Sequence, residues 1–339
     1  MKFFKNILLF TASTAIALVC AEFVARASGY KPFGYIPPTE WQLQILTGDS
    51  EFGWKTKPGE YRHFLMPDNG YPITITVSAD GARVSAGRGP NVPTIELHGG
   101  SIGFGWGVTD GETVGDAVAQ LTGQRVVNRS VGAYGSLQVL QTLKRVAQDW
   151  TESTKPAAIV YLQATHHMNR SAADPDWLLS NEIYNPRGGM MIGIPSARFN
   201  ERNELVIKPA ERYGAFPLRE RSALVNLAEQ AWVRFSRGVS NVEMIKIQAE
   251  IIRRMATLAG KNGIPFIVAG VYSQESDFNA LRAAVGAAPL TWAFCMHPGY
   301  PDKKFAVPND GHPNGIVHRY YGECVAKTLA GTLPNHAVN

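Results

Sequence analysis

Two continuous apolar runs place the strongest constraint on how this chain folds. Residues 157–162 and 264–271 contain no charged or strongly polar side chain. Such runs are typical of strands that are buried on both faces of a parallel sheet. Residues 242–259 lie between them and carry apolar residues at helical spacing. Repeated strand–helix alternation predicts an α/β fold with three layers, in which a doubly wound, mainly parallel sheet has helices on both faces.

Shorter patterns extend this alternation along the chain. Residues 71–78 alternate as a half-buried strand, residues 95–97 and 125–128 form further strands, and residues 317–329 form a closing helix. A helix opens near Thr113. Another helix follows Ser136, whose hydroxyl is suited to capping its first turn.

Residues 171–243 interrupt the alternation and are predicted to be an inserted excursion. Within it, residues 198–207 resemble a hairpin and residues 224–235 an amphipathic helix. The excursion either covers a substrate cleft or has only a structural role. The predicted domain organisation is an anchor or signal segment at 1–27, a linker with N-terminal strands at 28–90, and a main domain at 91–335.

The first 27 residues form a hydrophobic segment with two possible fates. Two lysines precede the apolar run 7–21, which continues after Glu22. Ala25-Arg26-Ala27 fits the cleavage site of a secretory signal peptide. With the part after Glu22, the segment reaches the ~20 residues of a transmembrane helix. We favour the uncleaved membrane anchor, and the lysines predict a cytoplasmic amino terminus with the body on the periplasmic side.

Charge and cysteine content exclude several classes of function. The net charge is +5, but the basic residues are scattered, so nucleic-acid binding is not predicted. Cys295 and Cys324 lie in the exported part, where they either form one disulfide or remain reduced. No Cys/His pattern has zinc spacing. We therefore expect no metal and no cofactor, and the sequence leaves protein partners open.

The strand at 95–97 ends in a turn of small residues, Gly99-Gly100-Ser101. In an open α/β sheet, ligands bind at the carboxyl ends of the strands. A serine at this position can act as a nucleophile, with its own N–H directed at a developing oxyanion. The alternative is a glycine-rich turn with an incidental serine.

Asp310 and His312 lie two residues apart in a later loop that Gly311 and Pro313 restrict. A serine nucleophile needs a base, and the base needs an orienting carboxylate. Asp310 can accept from one ring nitrogen of His312 while the other nitrogen faces Ser101. This arrangement requires both loops to meet at the same edge of the sheet.

These motifs, in this order, resemble the SGNH (GDSL-like) hydrolase superfamily, which has a flavodoxin-like sheet. The matching blocks are Gly99-Gly100-Ser101 with residues 104–108, then residues 127–135, and then residues 310–314 ahead of the last helix. Residues 53–59 and the Asp-Gly-x-Arg motif at 80–83 resemble its membrane-anchored bacterial branch. The resemblance covers roughly 50–165 and 245–330, but not the insertion.

The resemblance implies a role for each matching residue. Ser101 would be the nucleophile, His312 the base and Asp310 the partner of the base. The oxyanion hole would use the Ser101 N–H and a backbone N–H of the second loop. The family's usual glycine in that loop falls on Ala133, beside Gly132.

Two positions depart from the family pattern. Gly100 stands where the family usually has aspartate. After the strand at 157–162, the family usually supplies an asparagine side chain as a further oxyanion donor, and this chain offers His167 or Asn169. A neutral imidazole donates as an amide does. The alternative is that the adjacent histidines, His166 and His167, merely cap the strand.

Together these features predict a membrane-tethered, extracytoplasmic serine esterase. Its substrate is an acyl ester, acetyl esters and acylated carbohydrates included, which it hydrolyses through an acyl-enzyme. One alternative is an O-acyltransferase or deacetylase of a cell-envelope polysaccharide. Another is a non-catalytic carbohydrate-binding scaffold that retains the fold.

Overall fold

The computed structural model describes residues 2–35, 45–64, 72–85, 87, 94–184 and 193–333. The strands in these ranges are β1 (Leu46–Asp49), β2 (Gly53–Thr56), β3 (Gly59–Phe64), β4 (Pro72–Val77), β5 (Thr94–Gly99), β6 (Arg125–Asn128), β7 (Ala158–Ala164), β8 (Ile194–Phe199), β9 (Leu205–Glu211), β10 (Phe266–Tyr272) and β11 (Thr291–Phe294).

The α-helices alternate with these strands over much of the chain. They are α1 (Lys2–Ala27), α2 (Ser101–Phe104), α3 (Val114–Thr122), α4 (Ser136–Val146), α5 (His167–Ala172), α6 (Pro175–Tyr184), α7 (Ala223–Arg237), α8 (Asn241–Lys261), α9 (Glu275–Val285) and α10 (Gly315–Thr332). Single 3-10 turns lie at Ala147–Asp149 and Lys303–Phe305.

The central sheet has five strands in the order β11-β10-β7-β5-β6, and every neighbouring pair is parallel. The chain leaves β5 for β6 on one side, and then returns to build β7, β10 and β11 on the other. The winding direction therefore reverses beside β5. In open α/β sheets, ligands bind in the crevice at such a switch point. The predicted doubly wound sheet is confirmed.

Strand β7 shows why the sheet needs helices on both faces. Ile159 and Tyr161 pack into a core with α4, α8 and α9. Val160 and Leu162 point the other way and pack with α3 and α10. Because successive side chains in a strand face opposite sides, an unbroken apolar run fills both cores. The three-layer arrangement follows from that pattern.

The smaller strands form antiparallel pairs, β1–β2, β3–β4 and β8–β9. Pair β8–β9 contains the predicted hairpin. Strand β4 covers the predicted alternating strand at 71–78 except its two ends: Ser78 follows the strand, and residue 71 lies outside the described residues. Strand β11 was not predicted, because its four residues include one buried side chain, Ala293.

Ser136 differs from its prediction as a helix cap. Helix α4 begins at Ser136 itself, and Gly135 is the N-cap with an extended backbone. The Ser136 hydroxyl is therefore available to the core, where it contacts the Ser171 hydroxyl at 2.7 Å and the side chain of Gln248.

The chain divides into two compact units. One comprises residues 1–38, 174–188 and 212–238, and it holds α1, α6 and α7. The other comprises residues 39–173, 189–211 and 239–339, and it holds the central sheet. The predicted domain boundaries and the insertion at 171–243 stay a prediction.

Two features bear on where the protein resides. Within helix α1, the stretch Phe3–Ala27 is long and apolar enough to cross a membrane, by length and composition alone. A signal sequence has the same properties. Cys295 and Cys324 form a disulfide with their Cα atoms 5.7 Å apart, and Cys20 is free.

Candidate active site

Ser101 lies where β5 ends and α2 begins. Its side chain is nearly buried, with 7% of the residue surface exposed. Gly100, the N-cap of α2, has an extended backbone. The short helix therefore starts at the nucleophile candidate itself, at the carboxyl edge of the sheet beside the switch point.

The later loop brings His312 and Asp310 to the same edge. Nε2 of His312 lies 2.9 Å from the Ser101 Oγ, and Nδ1 lies 2.5 Å from an Asp310 carboxylate oxygen. A carboxylate only accepts, so Nδ1 carries a proton and Nε2 can accept from the serine hydroxyl. Burial raises the pKa of Asp310, but the hydrogen bonds and charge of His312 outweigh it and leave that pKa below its ordinary value.

Backbone hydrogen bonds hold this loop in shape. The Val307 N–H donates to the His312 carbonyl at 2.7 Å, and the Gly311 N–H donates to the Val307 carbonyl at 3.0 Å. The Tyr300 hydroxyl donates to the Gly311 carbonyl at 2.6 Å. Gly311 has a φ of 86°, a conformation that favours glycine.

The loop after β6 presents two unused backbone donors. Among the described residues, no acceptor is bonded to the N–H of Gly132, Ala133 or Ser101. Ala133 has a φ of 67°, which costs an alanine roughly 1–2 kcal/mol. Such strain is typically retained at functional sites. The alanine thus keeps the left-handed conformation that the family's glycine would adopt freely.

Trp54 orients the peptide that carries the Ala133 donor, a role that was not predicted from the sequence. Its indole Nε1 donates to the Gly132 carbonyl at 2.9 Å, and its side chain is fully buried. In a trans peptide the C=O and the next N–H point in opposite directions. A fixed Gly132 carbonyl therefore fixes the direction of the Ala133 N–H. The Gly-Trp block was the available signal.

His167 and Asn169 both lie in α5, but their side chains leave the helix in different directions. A Cβ added at Gly100 would lie 2.6 Å from Nε2 of His167 and 3.0 Å from the Tyr134 carbonyl oxygen. The imidazole thus lies against the residue before Ser101, which explains a glycine at 100. Asn169 is two residues further, about 200° around the helix axis.

Arg83 supports the segment that follows Ser101, and this role was not predicted from the sequence either. Its buried guanidinium donates to the carbonyls of Phe104, Gly105 and Val108, and pairs with Asp110 at 3.1 Å. These four acceptors lie between the last residue of α2 and Asp110. Arg83 therefore fixes the path of the glycine-rich segment.

A cavity of about 600 Å³ opens near this edge of the sheet. Tyr272, Phe294 and Tyr300 contribute aromatic walls, and Thr165, which directly precedes the two histidines in the chain, also lines the cavity. Tyr300 also donates a hydrogen bond to the loop that carries Asp310 and His312. Within the described ranges, no group of three or more His, Cys, Asp or Glu side chains is arranged to hold a metal ion.

Comparisons with family models and with curated proteins gave no match. Similar solved structures include a carbohydrate esterase family 2 enzyme with a carbohydrate-binding domain from Corynascus thermopiles (Myceliophthora fergusii), 14% identical, with a TM-score of 0.40, covering 77% of this chain and 71% of that one. A carbohydrate esterase family 3 structure from Talaromyces cellulolyticus is 11% identical, with a TM-score of 0.34 and coverages of 71% and 97%.

A third similar structure is AlinE4, an SGNH-hydrolase family esterase. It is 12% identical, with a TM-score of 0.32, covering 73% of this chain and 100% of that one. The chain is similar in fold to SGNH esterases.

Proposed function

We propose that this chain is a serine esterase in which Ser101 is the nucleophile, His312 the general base and Asp310 the residue that orients the base. The supporting observation is the hydrogen-bonded series Ser101 Oγ, His312 and Asp310, with distances of 2.9 and 2.5 Å. Side chains that lie 211 residues apart in the sequence meet there with the polarity that nucleophilic catalysis requires.

The first half of the reaction forms an acyl-enzyme. Nε2 of His312 takes the hydroxyl proton as the Ser101 Oγ bonds to the ester carbonyl carbon, and the carbonyl oxygen becomes an oxyanion. The intermediate then collapses, the bond to the alcohol oxygen breaks, and His312 returns its proton to the leaving alcohol. Asp310 stabilises the imidazolium while it exists.

The second half releases the acid. A water molecule gives a proton to Nε2 of His312 and bonds to the acyl carbon. The bond to the Ser101 Oγ then breaks as the proton returns to that oxygen. The N–H groups of Ser101 and Ala133 are the proposed oxyanion donors in both halves, with Gly132 shaping the turn.

The substrate is proposed to be an acyl ester whose alcohol part includes a carbohydrate. The aromatic walls of the cavity near the catalytic loop suit the apolar face of a sugar ring or an acyl group. Ser273, Gln274 and Glu275 line the same cavity and provide polar groups for hydroxyls.

The test is labelling of the full-length chain, in detergent, with a fluorophosphonate ester probe, followed by intact-mass analysis. One adduct is expected, and Ser101→Ala should abolish it. Ser130→Ala is the matched control, because the Ser130 hydroxyl is buried without a hydrogen-bond partner among the described residues. Folded protein without an adduct would overturn the proposal and favour the non-catalytic scaffold.

Product analysis distinguishes hydrolysis from acyl transfer. With an acetyl ester and excess oligosaccharide, the esterase releases free acetate at the rate of alcohol release. Acetylated sugar would instead identify the transferase, because the triad is the same and only the acceptor of the acyl group differs.

We also propose that α1 is an uncleaved membrane anchor that holds the body on the periplasmic side. Within its own compact unit, Glu22 accepts hydrogen bonds from the Ser222 hydroxyl at 2.7 Å and from the N–H groups of Ala223 and Leu224 at 3.0 and 2.8 Å. A carboxylate at a helix N-terminus is stabilising. Cleavage after Ala27 would remove this cap from α7.

The disulfide supports export, because such bonds persist in oxidising compartments. The anchor is tested by intact mass of the protein extracted from membranes. A mass that includes the first 27 residues is expected, and a chain that begins at Ser28 would overturn the proposal.

A further inference from the structure

A chain of hydrogen bonds behind the sheet edge ends at His167. The Tyr161 hydroxyl lies 2.8 Å from Nδ1 of His167, and the Ala164 backbone N–H donates to the same nitrogen at 3.4 Å. The side-chain amide of Gln248 donates to the Tyr161 oxygen at 3.2 Å. All of these groups lie in the compact unit that contains Ser101.

These contacts determine which ring nitrogen of His167 carries the proton. A backbone N–H can only donate, so Nδ1 must present its lone pair. The Tyr161 oxygen already accepts from Gln248, which leaves its own O–H to donate to Nδ1 as well. In a neutral ring the proton then lies on Nε2. Burial and the nearby Arg170 guanidinium lower the pKa of His167 well below its ordinary value, so the ring is neutral.

The amide orientation of Gln248 has its own support. The Ser136 hydroxyl contacts the Gln248 carbonyl oxygen and also approaches the Ser171 hydroxyl at 2.7 Å. With its oxygen turned to Ser136, Gln248 presents its NH₂ to Tyr161. Three elements therefore act on one imidazole: α4, α8 and β7.

The protonated nitrogen lies beside Gly100, the residue that precedes the nucleophile candidate. A Cβ at Gly100 would lie 2.6 Å from Nε2, and Gly100 directly precedes Ser101. Among the described residues, no acceptor is bonded to Nε2. An N–H without an acceptor in the protein is available to an acceptor that a ligand supplies. The two departures from the family pattern are thus one feature, because the imidazole fills the space that a side chain at 100 would need.

We propose that His167 donates its Nε2–H to the oxyanion as a third donor, and that Tyr161 and Gln248 are positioning residues that hold its ring in the donating tautomer. The proposal rests on the proposed esterase function. It assigns the third donor to His167 rather than Asn169, and it gives a purpose to polar groups that are otherwise unexpected inside the core.

The tautomer is measured by ¹⁵N NMR of the full-length chain in detergent, labelled in its histidine rings. The His167 signals are those lost in His167→Gln. We expect a neutral ring with the proton on Nε2 at pH 7, and a raised share of the Nδ1-protonated form in Tyr161→Phe. A proton on Nδ1 in the wild type, or an unchanged ring in Tyr161→Phe, would overturn the positioning role.

The donor role is measured as kcat for 4-nitrophenyl acetate. His167→Ala should lower kcat about 100-fold, as loss of one oxyanion donor does. His167→Gln should stay within about tenfold of the wild type, because its amide N–H reaches the same place without a tautomer. Tyr161→Phe should lower kcat about tenfold with KM unchanged, as loss of an outer-shell partner does.

The double variant separates positioning from packing. In the His167→Gln background, Tyr161→Phe should change kcat less than about twofold, since no tautomer remains to be fixed. Equal losses in both backgrounds would overturn the positioning role. If the wild type neither hydrolyses esters nor takes the probe at Ser101, the proposed function fails, and the donor role fails with it. The NMR measurement still decides whether Tyr161 sets the tautomer.

Discussion

Two histidines beside Ser101 have opposite chemistry because their Nδ1 atoms have different partners. The Nδ1–H of His312 donates a hydrogen bond to the Asp310 carboxylate, so its Nε2 is an acceptor and can serve as a base. Nδ1 of His167 accepts from the Tyr161 hydroxyl, so its Nε2 is a donor. The partner of one nitrogen sets the function of the other.

The solvent exposure of the two imidazoles also differs, in the way that their two roles require. The His312 side chain is 28% exposed, so water can solvate the imidazolium that the proposed reaction forms. His167 is 2% exposed and has no carboxylate partner in the described residues, so a charged ring would be costly there. A base must change its charge and a neutral donor must not, and each site meets its own requirement.

The largest expected effect comes from changing the His312 partner. Asp310→Asn replaces an acceptor by an amide that can donate to Nδ1, which makes His312 resemble His167. We expect kcat for ester hydrolysis to fall by about 10⁴ at pH 7, as in other triads where the wrong tautomer results. The measurement is steady-state hydrolysis of 4-nitrophenyl acetate.

Asp302→Asn is the matched control. Asp302 is exposed in the preceding turn, and the substitution removes the same charge. It should leave kcat unchanged. A value for Asp310→Asn within tenfold of the wild type would show that His312 does not need its carboxylate, and the contrast between the two histidines would not hold.

A smaller effect is expected from the backbone donor beside these histidines. Trp54→Phe removes the indole N–H that holds the Gly132 carbonyl. The Gly132–Ala133 peptide can then rotate, and we expect kcat to fall about 10- to 100-fold, within the range for a lost oxyanion donor. The measurement is kcat with KM determined in parallel.

Trp292→Phe is the control for the lost indole volume, since Trp292 lies in β11 and packs against Phe278. An unchanged kcat in folded Trp54→Phe would mean that the Ala133 N–H keeps its direction without the indole. The oxyanion site would then depend more on His167 than on the backbone.

The sequence predicted those parts of the site that depend on local pattern. Continuous apolar runs predicted β7 and β10, because a strand buried on both faces has no room for polar side chains. A strand that ends in small residues predicted the position of Ser101. The spacing of Asp310 and His312 predicted a pair that local geometry can form.

Contacts between distant segments were not predictable in the same way. Tyr161 and Gln248 are 87 residues apart, and Trp54 and Gly132 are 78 apart. Each residue alone is compatible with an ordinary core or surface position, and only the packing of α8 or β2 brings the partners together. The choice between His167 and Asn169 likewise depends on the direction in which α5 begins.

The disulfide shows a different limit. Cys295 directly follows β11, and Cys324 lies within α10. From the sequence, the two could be either bonded or reduced. A buried position is compatible with a bonded or a reduced cysteine, since a free cysteine behaves as a small apolar residue. The approach of α10 to the end of β11 is what brings the two Cα atoms within bonding range.

The smallest expected effect concerns stability, and it tests whether the buried His318 ring stays neutral in the folded chain. Burial lowers the pKa of His318 to about 3, with Arg83 and His312 acting in the same direction. The unfolded chain binds a proton near pH 6.5 that the folded chain does not, so the free energy of unfolding falls as pH drops below 6.5 and continues to fall toward pH 3. From pH 7 to 5 this one group accounts for about 2 kcal/mol. In urea unfolding, His318→Gln should reduce the pH dependence of the free energy of unfolding by that amount. An identical pH dependence in both proteins would mean that His318 takes up its proton in the folded state despite its buried position.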